Sequence, residues 1–243
     1  MAGPEPTRRE RYRRQTVAEI KAAAMAQLCK GGAETVSLTA IARSMAMSAP
    51  ALYRYFACRD ELLADLAVDV HLALADALEA AARTASVASR VTAVAHAYRD
   101  WALARPHAYH LAYETAYGSA REHAADRIAA AAQRCMTVFL GVVAEAGEPP
   151  PVALPPALDE QLRGGHGIPA AVRHFGLIWW SRLHGLTSLE LGRHLAATGV
   201  DTALLYQTEI DAMLSALGRR HTVTTRSGAT FPSTPLRPIT MRR

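Results

Sequence analysis

Apolar side chains recur at helical spacing along almost the whole chain. From about Arg11 to Lys30, Ile20, Ala24 and Leu28 fall four apart on one face, and Gly31-Gly32 stops the run. Ser37 stands where an N-cap is needed for a short helix, Leu38 to Met45, with Ile41 and Ala42 facing inward. Ser48 caps another over Ala49 to Phe56, whose first turn accepts Pro50 because the missing N–H has no helical partner there. A longer helix is expected from about Asp60 to Arg83, where Leu62, Leu66, Val70 and Leu74 repeat every four residues. Further helical segments fall near 88–105, 107–118, 121–146, 169–196 and 201–217, and no alternating stretch is long enough to argue for a sheet. The pattern predicts an all-α protein.

Breaks in the pattern suggest the organisation. Residues 1–13 read as a flexible basic arm, 14–74 as a small N-terminal helical domain, 75–218 as a larger helical domain, and 219–243 as a disordered basic tail. Glu148 to Pro169 is rich in proline and glycine, which predicts a long loop with at most one helical turn around Leu158 to Leu162. The polar opening MAGPEPTRRERYRR has no apolar core of a signal peptide, so a cytoplasmic protein is expected. No apolar run approaches the roughly 18 residues of a membrane span. Cys29, Cys58 and Cys135 are far apart and in no metal-ligand spacing, so reduced thiols in small apolar sites are expected.

Charge is distributed unevenly. Residues 1–60 carry a net +5, residues 61–218 a net −6, and residues 219–243 a net +6. A basic front end on an acidic body suits a polyanion partner, because clustered cations gain affinity by releasing phosphate counterions. Charge alone fits a solvated surface equally well.

The stretch SLTAIARSMAMSAPALYRYF, Ser37 to Phe56, narrows the choice. About three residues, Ala46-Met47-Ser48, join two short helices, so the helices cross steeply, and the small Ala42 lets their backbones approach. Ile41, Met45, Leu52 and Phe56 would pin the second helix, leaving its first turn and outer face for a DNA major groove. A purely structural helical hairpin would share this spacing.

The residues Ile20, Ala24 and Leu28, then SLTAIA, SAPALYRYF and Arg59-Asp-Glu-Leu-Leu, together resemble the tetracycline-repressor (TetR) family of regulators over roughly residues 14–74. Ala46 stands where that family usually has glycine in the turn, and Arg59 where it usually has lysine. The resemblance implies an N-terminal helix-turn-helix joined by a long helix to a C-terminal effector-binding and dimerisation domain. It also implies a homodimeric repressor of operator DNA that responds to a small molecule; the aromatic-rich, weakly charged stretch of the larger domain favours a hydrophobic or aromatic one, and no cofactor is expected. DNA-facing positions would be Thr39, Ala49, Pro50, Ala51, Tyr53, Arg54, Tyr55 and Arg59. Among these, the Tyr53 and Tyr55 hydroxyls and the Arg59 charge suit phosphate, which sets register. Arg54 has the fork that reads guanine, and the small apolar residues suit thymine methyls. Arg8, Arg9, Arg11, Arg13 and Arg14 of the arm would add phosphate or minor-groove contacts.

In the larger domain, Tyr98, Trp101, Tyr109, Tyr113 and Tyr117 gather five of the fifteen aromatic residues into one stretch. A flat apolar body with one polar handle suits a ligand cavity, and ordinary core packing is the competing reading. Tyr98, Trp101, Tyr109, Tyr113 and Trp179 are the expected pocket lining. The segment Phe175–Leu195 is apolar around nearly its whole circumference, as a helix covered on both sides would be. Its Trp180, His184 and Gly185 resemble a C-terminal domain of some of these regulators in which a Trp, a His and a Gly recur. Trp180, His184, Leu189, Ile210, Met213 and Leu217 are the expected dimer face, completing a four-helix interface.

Ten histidines invite a metal, but no HExxH and no paired cysteine supports one, so no metal is expected. No nucleophile is paired with a base and no glycine loop cradles phosphate, so an all-helical enzyme is disfavoured. An architectural DNA-binding protein without an effector remains open, and it predicts no aromatic-lined cavity.

Overall fold

The computed structural model describes residues 7–83, 86–113, 120–163 and 167–218. Residues 219–243, the expected tail, and Tyr117 lie outside them. Among the described residues there are helices and no strands. The helices are α1 (Arg8–Gly31), α2 (Leu38–Ser44), α3 (Ala49–Tyr53), α4 (Arg59–Ala82), α5 (Val87–Ala104), α6 (Pro106–Tyr113), α7 (Ala120–Ala146), α8 (Pro156–Arg163), α9 (Ala170–Leu191) and α10 (Thr202–Gly218).

Helix α1 begins at Arg8, inside the expected arm. Thr7 and Glu10 explain why: Glu10 N–H donates to Thr7 Oγ1 (3.3 Å) and Thr7 N–H to Glu10 Oε2 (2.7 Å), a reciprocal cap that holds the first turn. Backbone and side-chain hydrogen bonds from Thr7 lower the Glu10 carboxyl below its ordinary value. Ile20, Ala24 and Leu28 are buried, whereas Arg8 to Gln15 are exposed all round. Gly32, at φ +81°, ends the helix where a side chain would be strained.

Helix α4 is the spine. Leu62, Leu63, Leu66, Val70, Leu74 and Leu78 are all at most 3% exposed, because the helix packs against α1 on one side and α5, α6 and α7 on the other. By length and composition Ala124–Ala146 within α7 is apolar enough to cross a membrane, although charged and polar residues interrupt its apolar runs. Here it lies along α4, and its cations are paired there: Arg127 with Asp65 (2.6 Å), Arg134 with Glu79 (2.6 Å) and Asp76 (2.7 Å). The proline-rich segment holds a full helix, α8, rather than a single turn. α9 stops at Leu191, short of the expected 196, where Gly192 caps it and Arg193 turns to φ +57°. Cys135 is buried, but Cys29 and Cys58 are exposed, because both fall at helix ends outside the packed faces.

One ion pair ties α5, α9 and α10 together. Arg99 donates through Nε and Nη2 to Glu190 (2.8 and 2.5 Å), and Thr202 Oγ1 donates to the same carboxylate (2.6 Å). Burial works to raise the Glu190 pKa, but the hydrogen bonds from Arg99 and Thr202 outweigh it and leave the carboxyl below its ordinary value. A carboxyl depressed in the folded state contributes stability above its unfolded pKa and loses it as pH falls through the folded one. Glu190→Gln should therefore cost about 2 kcal/mol at pH 7, or ~4–8 °C in Tm. The gap from wild type should close as melts are taken below about pH 4. A gap independent of pH would mean that the charge of Glu190 contributes nothing.

Candidate DNA-contacting surface and effector site

The two serines act as the spacing predicts. Ser37 Oγ accepts from Ala40 N–H and Ser48 Oγ from Ala51 N–H, both at 3.3 Å, starting α2 and α3. Between them Ala46 sits at φ +52°, the left-handed geometry in which glycine is free of Cβ strain. Ile41, Leu52 and Phe56 are buried and hold α3 against α2. Thr39, Pro50, Tyr53 and Arg54 are left exposed, and Ala49, Ala51 and Tyr55 half-buried. Arg54 and Tyr55 lie in the turn that closes α3, which ends at Tyr53 rather than Phe56.

Arg59 departs from the expected phosphate clamp. Its Nε donates to the Val36 carbonyl (3.1 Å) and its Nη2 to that of Ala33 (2.6 Å), with Glu34 and Asp60 each 3.6 Å away. The guanidinium braces the first turn of α4 against the link between α1 and α2. The basic residues before it are helical instead of forming an arm, and the guanidinium of Arg13 lies 5.3 Å from the Tyr55 ring centre. That contact sets the first turns of α1 beside the turn that closes α3.

In the larger domain Tyr98 and Tyr109 are fully buried and Tyr113 half-buried, and they do come together. The hydroxyls of Tyr98 and Tyr109 lie 2.8 and 2.9 Å from Nδ1 of His184, and that of Tyr109 lies 2.7 Å from Ser188 Oγ. The His184 ring stacks on Trp180 (5.2 Å) and Tyr109 (5.7 Å) and meets the edge of Tyr113 at 4.8 Å. His184 and Trp180 were expected on the dimer face. They turn inward because α6, far away in sequence, presents its tyrosines to this side of α9. Beside the cluster is a cavity of about 310 Å³ whose lining includes Tyr113, Ala132, Cys135, Met136 and Trp180. Burial pushes the Tyr98 and Tyr113 phenols above their ordinary values and the Cys135 thiol up to about 12. These groups stay protonated, and among the described residues no Asp, Glu, Lys or Arg lines the cavity.

The other expected lining residues separate. Trp101 is buried beside the guanidinium of Arg105 (5.7 Å). Trp179 meets Phe139 edge-on (5.7 Å) and lines a different cavity. The expected dimer residues Ile210, Met213 and Leu217 are 0–6% exposed within one protomer, since that face of α10 packs on α9, α5 and α7. Leu189 is exposed, and so are Ile178 and Leu204, which the sequence reading did not select.

A three-helix DNA-binding unit on an all-helical second domain defines a helix-turn-helix transcriptional regulator. Residues 20–66 match the model of the bacterial regulatory proteins of the tetR family, and residues 91–213 match the tetracyclin repressor-like C-terminal domain. The HTH-type transcriptional regulators Rv1816 of Mycobacterium tuberculosis and Mb1846 of Mycobacterium bovis are each 31% identical over 226 residues, 86% of this chain and 95% of theirs. The solved structure of the regulatory protein SCO4313 is 40% identical, with a TM-score of 0.69 over 86% of this chain and 100% of that one. A Rhodococcus sp. RHA1 protein of unknown function is 25% identical, with a TM-score of 0.65 over 84% and 95%. The chain belongs to the tetR family of transcriptional regulators, with its DNA-binding domain at the N-terminus.

Proposed function

We propose that the protein is a homodimeric repressor that grips a two-fold operator through α3 and leaves it when a small neutral aromatic molecule lodges between Tyr113 and Trp180. The observation that carries this reading is the hydrogen-bonded tyrosine–histidine cluster beside an open cavity, built partly on α6, an effector-domain helix that packs against α1. A Cβ at Gly32, at the end of α1, would lie only 3.4 Å from Nδ1 of His107 on α6. A ligand that displaces Tyr113 therefore presses on the DNA-binding domain. Lys21 of α1 and Arg127 of α7 also converge on one turn of α4, through Asp69 (2.6 Å) and Asp65 (2.6 Å). Two recognition helices must sit about 34–36 Å apart, or a multiple of it, to reach successive major grooves, so a small tilt of each α4 forfeits contacts. The ligand's effect is bounded by its preference for the DNA-free state.

Ile178, Leu189 and Leu204 support a two-fold face on α9 and α10, because large apolar residues exposed together mark an interface. At the end of α3, Arg54 is the base-reading residue, and Tyr53 and the helical arginines of α1 are the phosphate contacts.

The test uses an operator selected from random DNA and a panel of neutral aromatic compounds, read by fluorescence anisotropy. Trp180→Ala should leave operator affinity within about twofold while weakening the response to an inducing compound by about tenfold or more, since a stacking wall is lost. Trp101→Ala should leave that response unchanged. The opposite result would place the effector at Trp101, and no release by any compound would remove the effector role.

A further inference from the structure

Trp179 and Trp180 are neighbours in sequence but stand about 100° apart around α9, so they face different spaces. On the Trp179 side, between α9 and α10, lies a cavity of about 240 Å³. Pro150, Val152 and Leu154 of the segment before α8 line it, and Phe175, Trp179 and Met213 complete an apolar wall. Arg182 and Glu209 reach it and neutralise each other at 2.9 Å, and His174 and Ile178, the latter also on the face assigned to the partner subunit, line it too. Trp179 is 2% exposed, and its indole Nε1–H is buried without an acceptor among the described residues. Buried donors are nearly always paired, and this one is closed to a water-sized probe, so an acceptor in the cavity reaches it once the indole or a neighbouring side chain shifts, and then gains a hydrogen bond that the folded chain leaves unmade.

We infer that this cavity is a second small-molecule site, which takes an uncharged single-ring compound whose carbonyl oxygen accepts from the Trp179 indole N–H. Volume limits the occupant to about one substituted ring, below the usual range for drug-sized ligands. The paired rim charges give no preference for an ion. Arg182 and Glu209 also border the groove that carries Leu189, so an occupant would lie beside the face assigned to the partner subunit.

The experiment follows the indole N–H signals of Trp101, Trp179 and Trp180 in the ¹⁵N-labelled full-length protein during titration with acetophenone and with ethylbenzene. These probes match in size, and only the ketone carries an acceptor. Acetophenone should move the Trp179 signal downfield, and ethylbenzene should bind at least about tenfold more weakly without that shift, because it leaves the donor unpaired. Trp179→Phe should bring acetophenone down to the affinity of ethylbenzene. If that variant does not fold, Trp101→Phe and Trp180→Phe assign the wild-type signal by elimination. Trp180→Ala, which breaks the cavity at Tyr113, should leave the Trp179 shift intact, so the two sites fail separately. Equal binding of the two probes, a shift of another indole instead, or no shift at saturating acetophenone overturns the inference.

Discussion

Leu204→Glu should split the proposed dimer into folded monomers, whereas Ile210→Glu should cost the fold itself. The two residues lie six apart on α10, about 120° apart around it, so one faces solvent and the other the core. Leu204 is 67% exposed in the protomer, so a carboxylate there stays hydrated and changes protomer stability by less than about 0.5 kcal/mol. In the dimer the same charge would be pressed into an apolar face without a partner, at several kcal/mol. Ile210 is 0% exposed, and its side chain sits in the packed core of the larger domain. Glutamate there both loses the burial of an isoleucine and strands a charge, together about 5 kcal/mol or more, a large share of the 5–15 kcal/mol typical of a folded protein. Light scattering and thermal melts separate the outcomes. The Leu204→Glu monomer should also lose at least about 100-fold in operator affinity, because the second half-site no longer binds at high effective concentration. A stable dimer of both Leu204→Glu and Ile178→Glu would remove this face.

Arg54→Ala and Arg59→Ala should fail in different ways. Arg54 is exposed at the end of α3, and its loss should cost about 1–3 kcal/mol of operator binding, concentrated at one base pair of each half-site. Arg59 holds two backbone carbonyls with charged hydrogen bonds, each worth about 1.5–3 kcal/mol. Its loss should destabilise the DNA-binding domain by about 2–4 kcal/mol and leave the salt dependence of binding unchanged. A salt slope reduced by about one, with an unchanged melt, would return Arg59 to the phosphates. Uniform weakening across operator variants would take base reading away from Arg54.

Local rules made much of this protein legible. The caps at Ser37 and Ser48, the strained turn at Ala46, the four-residue repeat through Leu62, Leu66, Val70 and Leu74, and the stop at Gly31-Gly32 each depend on neighbours within one or two turns. The first turn of α1 is equally local, through the reciprocal cap of Thr7 and Glu10. The aromatic stretch from Tyr98 to Tyr113 did signal a cluster, though not which members would share it.

By itself the sequence determined the helices, the helix-turn-helix and the family, because hydrophobic period, capping and turn chemistry are set by residues a few positions apart. Only the tertiary structure decided which way each helix faces. His184 turns to Tyr98 and Tyr109, Arg59 to Ala33 and Val36, and Ile210 into the core, through partners from 23 to more than 80 positions away or through whole packed faces. A helix such as α9, apolar around most of its surface, carries no local mark of which side meets its own domain and which side is left for another molecule. That choice belongs to the packing of α5, α6, α7 and α10 around it.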